Sequence, residues 1–97
     1  MLDSDCCGTT ACVVVVRKEG MNSVMYVANV GDTRAVLSHS GAAERLSVDH
    51  KCDNYDEQMR IKQAGGLISM NRVGGVLAVS RAIGDFSVRN SGLIAVP

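Results

Sequence analysis

Tyr26-Val-Ala-Asn-Val-Gly-Asp-Thr-Arg-Ala-Val-Leu37 is the stretch on which the reading of the chain turns. Val24, Tyr26, Ala28 and Val30 recur at the two-residue period of a strand, and Ala35, Val36 and Leu37 resume an apolar run. Between them stands Gly31-Asp32. Glycine accepts the positive φ that a turn or bulge demands, and aspartate can hydrogen-bond its own backbone nearby. The pattern predicts two core strands with a carboxylate exposed where the chain reverses. A polar group on a loop held by a rigid sheet is a common way to build an active site.

Before this stretch, Gly8–Arg17 is rich in β-branched residues and reads as one strand, and its unbroken apolar run predicts burial on both faces. Lys18–Ser23 is a glycine-containing hairpin loop, and Val24–Val30 the second strand. After it, Ser38–Gly41 is a turn and Ala42–Ser47 a short strand. The connections are too short for parallel crossovers, so the first half predicts an antiparallel meander. From Asp49 the pattern changes. Asn54-Tyr-Asp-Glu57 fits a capping box opening a helix over 55–64, which Gly65-Gly66 stops. Asp56 and Arg60 stand four apart, a pairing worth about 0.3 kcal/mol. Tyr55, Met59, Ile61 and Ala64 make no clean apolar stripe, so the helix is expected to be weakly anchored. Leu67–Met70 and Val76–Val79 read as strands separated by a turn over Asn71–Gly75. Ser80–Asp85 reads as a turn or short helical segment, Gly92–Pro97 as the start of a last strand, and residues 1–7 as polar and irregular.

With 97 residues the chain makes one small domain. Its net charge is zero, which argues against a nucleic-acid footprint or a polybasic membrane patch. No apolar run approaches the roughly 20 residues of a membrane span. Met1-Leu-Asp-Ser-Asp5 is acidic and does not read as a secretory signal. Cys6, Cys7, Cys12 and Cys52 lack zinc spacing; Cys12 reads as a buried small hydrophobe. Reduced thiols in an intracellular protein, cytoplasmic or nuclear, are the expectation. Aromatic residues are only 3% with no Trp, a low share for a self-sufficient core, so the chain reads as part of something larger.

Five blocks then occur in order: Gly8-Thr-Thr-Ala11, Val27–Leu37, Arg45-Leu-Ser-x-Asp-His-Lys51, Arg60-Ile-x-x-Ala-Gly-Gly66 and Arg72-Val-x-Gly-x-Leu-Ala-Val-Ser-Arg-Ala-Ile-Gly-Asp85. Together they resemble the metal-dependent type 2C serine/threonine protein phosphatases, over nearly the whole chain. Any one block is common; five at this spacing are specific. The resemblance implies an α+β fold, part of an α-β-β-α sandwich of two antiparallel sheets with flanking helices, with residues 1–97 a partial catalytic domain and about 53–75 its flap. It implies Mg²⁺ or Mn²⁺ as cofactor, a phosphoprotein as substrate, and a metal-activated water that attacks phosphoserine or phosphothreonine without a phosphoenzyme. Oligomeric state is left open.

The resemblance also implies what lies elsewhere. The family's main metal aspartate, its general-acid His and its phosphate-binding Arg are expected upstream of Gly8, and the remaining metal aspartates downstream of Pro97. No catalytic residue is therefore assigned within the chain, and the 97 residues alone are expected to be inactive. Cys7 stands where the family usually has Ser, and Cys52 where it usually has Pro. Asp32 matches an aspartate that contributes to a third metal position, and is the one metal candidate; a metal role is favoured in the complete enzyme, and a turn cap is favoured within these residues alone. Asp85 and His50 read as structural, and His39 as solvated. Arg34 and Arg81 are either phosphate ligands or ion-pair partners, the second being favoured. Met59 and Met70 would pack within the flap. Thr9, Thr10 and Ser80 lack the His–Asp pattern of an activated nucleophile and read as packing residues beside strands. A catalytically inactive phosphatase-like binding or regulatory module, or a truncated gene product, is the alternative, to be separated by the flanking sequence.

Overall fold

The computed structural model describes residues 6–97, so most of the expectation for residues 1–7 lies outside the described residues. The order of elements is β1 (Gly8–Thr9), β2 (Ala11–Glu19), β3 (Asn22–Val30), β4 (Val36–His39), β5 (Ala42–Arg45), α1 (Tyr55–Gln63), β6 (Ile68–Ser69), β7 (Arg72–Val73), β8 (Ile83–Gly84) and a 3₁₀ turn (Phe86–Ser91). The architecture is α+β, as expected. The strands pair as four separate two-stranded antiparallel ladders: β1 with β8, β2 with β3, β4 with β5 and β6 with β7.

Three of these ladders are hairpins closed by two residues. Gly20 (φ 65°) opens the β2–β3 turn, Ser40 and Gly41 (φ 51° and 77°) form the β4–β5 turn, and Met70 and Asn71 (φ 53° and 58°) form the β6–β7 turn. Such turns match the right-handed twist of the strands they join. In the first hairpin the ladder runs from Ala11 opposite Val30 to Glu19 opposite Asn22, so strand continues through most of the expected loop.

Two expectations for the first half fail. The meander breaks at Gly31-Asp32: β3 and β4 do not pair, and the chain passes from one hairpin to the next there. The predicted first strand is split at Thr10, and Val13, Val14, Val15 and Val16 are 48–63% exposed rather than buried on both faces. The physical reason is that β2 and β3 pair only with each other, so the Val13–Val16 stretch has no further strand beside it. Cys12 is accordingly half-buried.

The core sits instead in the second half. Cys52, Ile61, Val73, Ala82, Val88 and Leu93 form one buried cluster, with Ile68, Leu77 and Val79 against it. Helix α1 begins as expected: the Asn54 side chain accepts from the Asp56 N–H (2.9 Å). It ends in a Schellman motif, with the Gly66 N–H donating to Ile61 O (2.8 Å) and the Gly65 N–H to Lys62 O (3.0 Å). Ile61 is fully buried, worth roughly 1.5–3 kcal/mol. It packs so closely on Gly66 and Gly92 that a Cβ on either would come within 2.9 Å of its Cγ2.

β6 lies within the expected strand Leu67–Met70, while β7 falls inside the segment Asn71–Gly75 read as a turn. Val76–Val79 is no strand: Gly74 and Gly75 both take positive φ, curling the chain so that Leu77 and Val79 make only single bridges, to Val73 and Lys51. Ile83–Gly84 forms β8 inside the segment read as a turn, and the helical turn begins one residue later. Gly92–Pro97 makes one parallel bridge, Ile94 to Arg81, and no strand. Met70 is 93% exposed at its turn, so the packing role expected of it is not seen.

Candidate functional site

Asp32 lies in an exposed bend just after β3. Its position is set by the residue before it. The Gly31 N–H donates to His50 Nδ1 (3.1 Å), and the His50 N–H donates to Gly31 O (2.8 Å). The Asn29 amide adds a second donor to Gly31 O (3.0 Å) and holds Val48 O at the same distance. Gly31 has φ 101°, and a Cβ there would meet Thr10 Cγ2 at 2.3 Å and Arg81 O at 3.2 Å. Glycine is therefore required on both conformational and steric grounds. Thr10 and Thr33, on either side of the turn, share a hydroxyl hydrogen bond of 2.7 Å.

His50 is thus structural, as expected. Because Nδ1 accepts, the imidazole is neutral and carries its proton on Nε2. Burial lowers its pKa below 6.5, and the charge of Arg81 lowers it further, against the smaller opposing effects of Glu57 and Asp49. Asp32 itself does not cap the turn: among the described residues its carboxylate has no hydrogen-bond or ion-pair partner. An unpaired, exposed carboxylate on a pinned backbone suits a hard divalent cation as one oxygen ligand. Among the described residues no three His, Cys, Asp or Glu side chains converge to complete such a site.

The segment leading to His50 is held by charge. Arg34 reaches Asp49 with two bonds, Nε to Oδ1 (3.1 Å) and Nη2 to Oδ2 (2.6 Å), and Arg45 Nη2 adds a third at 2.8 Å. The Arg34 hydrogen bonds, assisted by the charges of both guanidinium groups, hold the Asp49 carboxyl at about 2 against the opposing effect of burial. This is the ion-pair reading of Arg34. An open cavity of about 690 Å³ lies beside it, lined by Arg34, Arg45, Lys51 and the start of the helix.

Helix α1 meets the same region through Glu57, a residue the sequence reading assigned only to capping. The Asn54 N–H goes to Lys51 O instead, so the capping box is half made. Glu57 is 3% exposed and accepts from Arg81 (Nη2, 2.6 Å), Arg60 (Nη2, 2.9 Å) and Ser80 Oγ (2.7 Å). Burial alone would raise its pKa; these three partners outweigh burial and hold it at about 2. Arg60 therefore pairs with Glu57 rather than Asp56, and also donates to Gly92 O and Ser80 O. The helix is firmly anchored, by a buried acid and Ile61 rather than by an apolar stripe. Arg81 is an ion-pair residue, as favoured. The Ser80 N–H donates to His50 O (3.0 Å), which joins the Glu57 cluster to the Gly31 clamp.

Asp85 behaves structurally. It adopts a left-handed backbone (φ 48°), its N–H donates to Cys7 O, and its carboxylate lies over Gly8, where a Cβ would be 2.0 Å from it. His39 is exposed, and Ser80 is buried with its hydroxyl engaged. Asn29, Arg45, Glu57 and Arg60 were not foreseen as parts of the site. Glu57 had one local signal, its place four residues before Ile61, the apolar residue that the helix buries.

A family model described as Protein phosphatase 2C matches residues 2–97. "Protein phosphatase 2C homolog 1" of Schizosaccharomyces pombe is 50% identical over 84 residues, covering 84% of this chain and 24% of that protein. "Probable protein phosphatase 2C 58" of Oryza sativa subsp. japonica is 49% identical over 85 residues, covering 88% and 22%. A crystal structure of a phosphatase from Toxoplasma gondii superposes with a TM-score of 0.65 at 28% identity, covering 95% of this chain and 41% of that one. The chain spans about a quarter of the length of these curated relatives. With the family model running from residue 2 to residue 97 and relatives near half identity along the same stretch, the chain belongs to the protein phosphatase 2C family.

Proposed function

We propose that the chain works as part of a protein serine/threonine phosphatase catalytic domain that removes phosphate from phosphoserine and phosphothreonine in proteins. The observation that carries this reading is the Asp32 carboxylate, exposed and unpaired on a turn whose backbone is pinned from both sides, in a chain matched to the phosphatase family. Mg²⁺ or Mn²⁺ is the cofactor in this reading, with Asp32 as one of its ligands; when bound it supplies an activated water and neutralises phosphoryl oxygens. The chain's own residues hold the turn and, over 53–75, form a flap bordering the substrate. Four free cysteines fit a reducing compartment, cytoplasm or nucleus. Among the described residues no helix is long and apolar enough to cross a membrane.

The test is hydrolysis of a phosphothreonine peptide, with Mn²⁺ and then with EDTA, by the 97-residue chain and by a chimaera. In the chimaera the chain replaces its matching segment in the Schizosaccharomyces pombe relative. The chain alone is expected to be inactive. The chimaera is expected to be active with Mn²⁺ and silent with EDTA, and Asp32→Asn should raise its Mn²⁺ requirement about tenfold. A folded chimaera with no activity would assign the chain to a binding or regulatory role instead.

A further inference from the structure

We propose that His50 is a positioning residue for Asp32, acting through Gly31 by way of its Nδ1 acceptor. This rests on the reading of Asp32 as a functional carboxylate. Gly31 has two backbone polar groups, and residue 50 takes both: its side chain accepts from the N–H, and its own N–H donates to the carbonyl. Residue 50 therefore holds both peptide units that meet at Gly31: its side chain holds the one before Gly31 through the N–H, and its backbone holds the one leading into Asp32 through the carbonyl, where the Asn29 amide is a second donor. Side-chain packing contributes nothing at Gly31 itself, since it has no side chain and no room for one between Thr10 and the Arg81 backbone.

The clamp has its own support. Asn29 ties Gly31 O to Val48 O, two residues before His50, and Ser80 holds the His50 carbonyl. Residue 50 is thus a fixed point from which the turn hangs. A hydrogen bond lost at Gly31 frees rotation of the peptide unit one residue from Asp32, and displacement of a carboxylate by even about 1 Å is costly in a functional site.

The chemistry makes the role separable from bulk and stability. The acceptor needed is an atom on Cγ, as Nδ1 is. Asn offers Oδ1 at the same number of bonds from Cα; Gln offers its oxygen one bond further out. His50→Asn should keep the clamp and His50→Gln should lose it. Two readouts follow. In the 97-residue chain and in the chimaera, hydrogen exchange at the Gly31 amide should be slow for the unsubstituted protein and for His50→Asn, and about tenfold faster for His50→Gln. In the chimaera, the Mn²⁺ concentration for half-maximal activity should rise for His50→Gln toward that of Asp32→Asn and stay near the unsubstituted value for His50→Asn.

Equal behaviour of the two His50 variants, or a fast-exchanging Gly31 amide in the unsubstituted protein, would overturn the proposal. An Asp32→Asn chimaera with an unchanged Mn²⁺ requirement, and the exchange pattern as expected, would instead sink the metal reading of Asp32 and leave the clamp as a backbone device alone. Matched melting temperatures of His50→Asn and His50→Gln show that any difference between them is not a loss of fold.

Discussion

Glu57 is the residue on which the second half depends. It is almost fully buried, and two guanidinium groups and a hydroxyl converge on it. Removing its charge leaves the half-buried guanidinium groups of Arg60 and Arg81 unmatched, so Glu57→Gln should destabilise the fold by about 3 kcal/mol in denaturant melts. The pH dependence follows from the same contacts. The folded carboxyl is held at about 2 against an ordinary 4.5, so the unfolded chain binds the proton more tightly. The stabilisation is complete above 4.5 and is lost as pH falls from there toward about 2. In Glu57→Gln that acid slope should flatten, although Asp49 retains its own. His50 has the same sign in a different window. Its folded pKa is lowered from 6.5, so stability should fall as pH drops below that value, and this component should vanish in His50→Asn.

Helix α1 was legible at both ends, because caps are local. Asn54 and Gly65-Gly66 act through backbone groups a few residues away, and they act as their sequence indicates. Asn54→Ala should cost about 1 kcal/mol of stability. Gly65 has open space but φ 78°, so Gly65→Ala should cost about 1 kcal/mol in backbone strain. Gly66→Ala should cost more, because its Cβ would stand 2.2 Å from the Ser91 carbonyl oxygen. Thermal melts followed by helix ellipticity rank the three. The helix's anchoring was not legible. Arg60 had a favourable partner in Asp56 on paper, yet it bonds to Glu57 and to carbonyls at Ser80 and Gly92, which lie 20 and 32 residues away. Val76–Val79 failed for a similar reason. An apolar run has strand character only where a partner strand is present, and Gly74-Gly75 turns this one back on Val73.

The chain's radius of gyration is 15.8 Å, against about 13 Å for a compact domain of this length. The excess accompanies a bare hairpin: Val13–Val16 and Tyr26 are about half exposed, and neither β2 nor β3 has a second neighbour. Unpaired apolar strands of this kind recruit other chains. The isolated chain should therefore self-associate in sedimentation experiments, and lysines at Val14 and Val16 should shift it toward monomer. A sharp, cooperative thermal transition of a dilute monomer would contradict this. What the sequence determined by itself was whatever acts within a few residues or through a shared run of motifs: the Ser40-Gly41 hairpin turn, the helix caps, the exposed Asp32 bend and the α+β family. What only the tertiary structure decided was which polar groups meet across distance. His50 closing on Gly31 and Glu57 gathering Arg81 and Ser80 join residues 19 or more apart, and the core forming around Ile61 rather than around the valine strand depends on which surfaces find a partner. Short-range patterns carry no information about such encounters, because burial and pairing are properties of the packed chain rather than of any one segment.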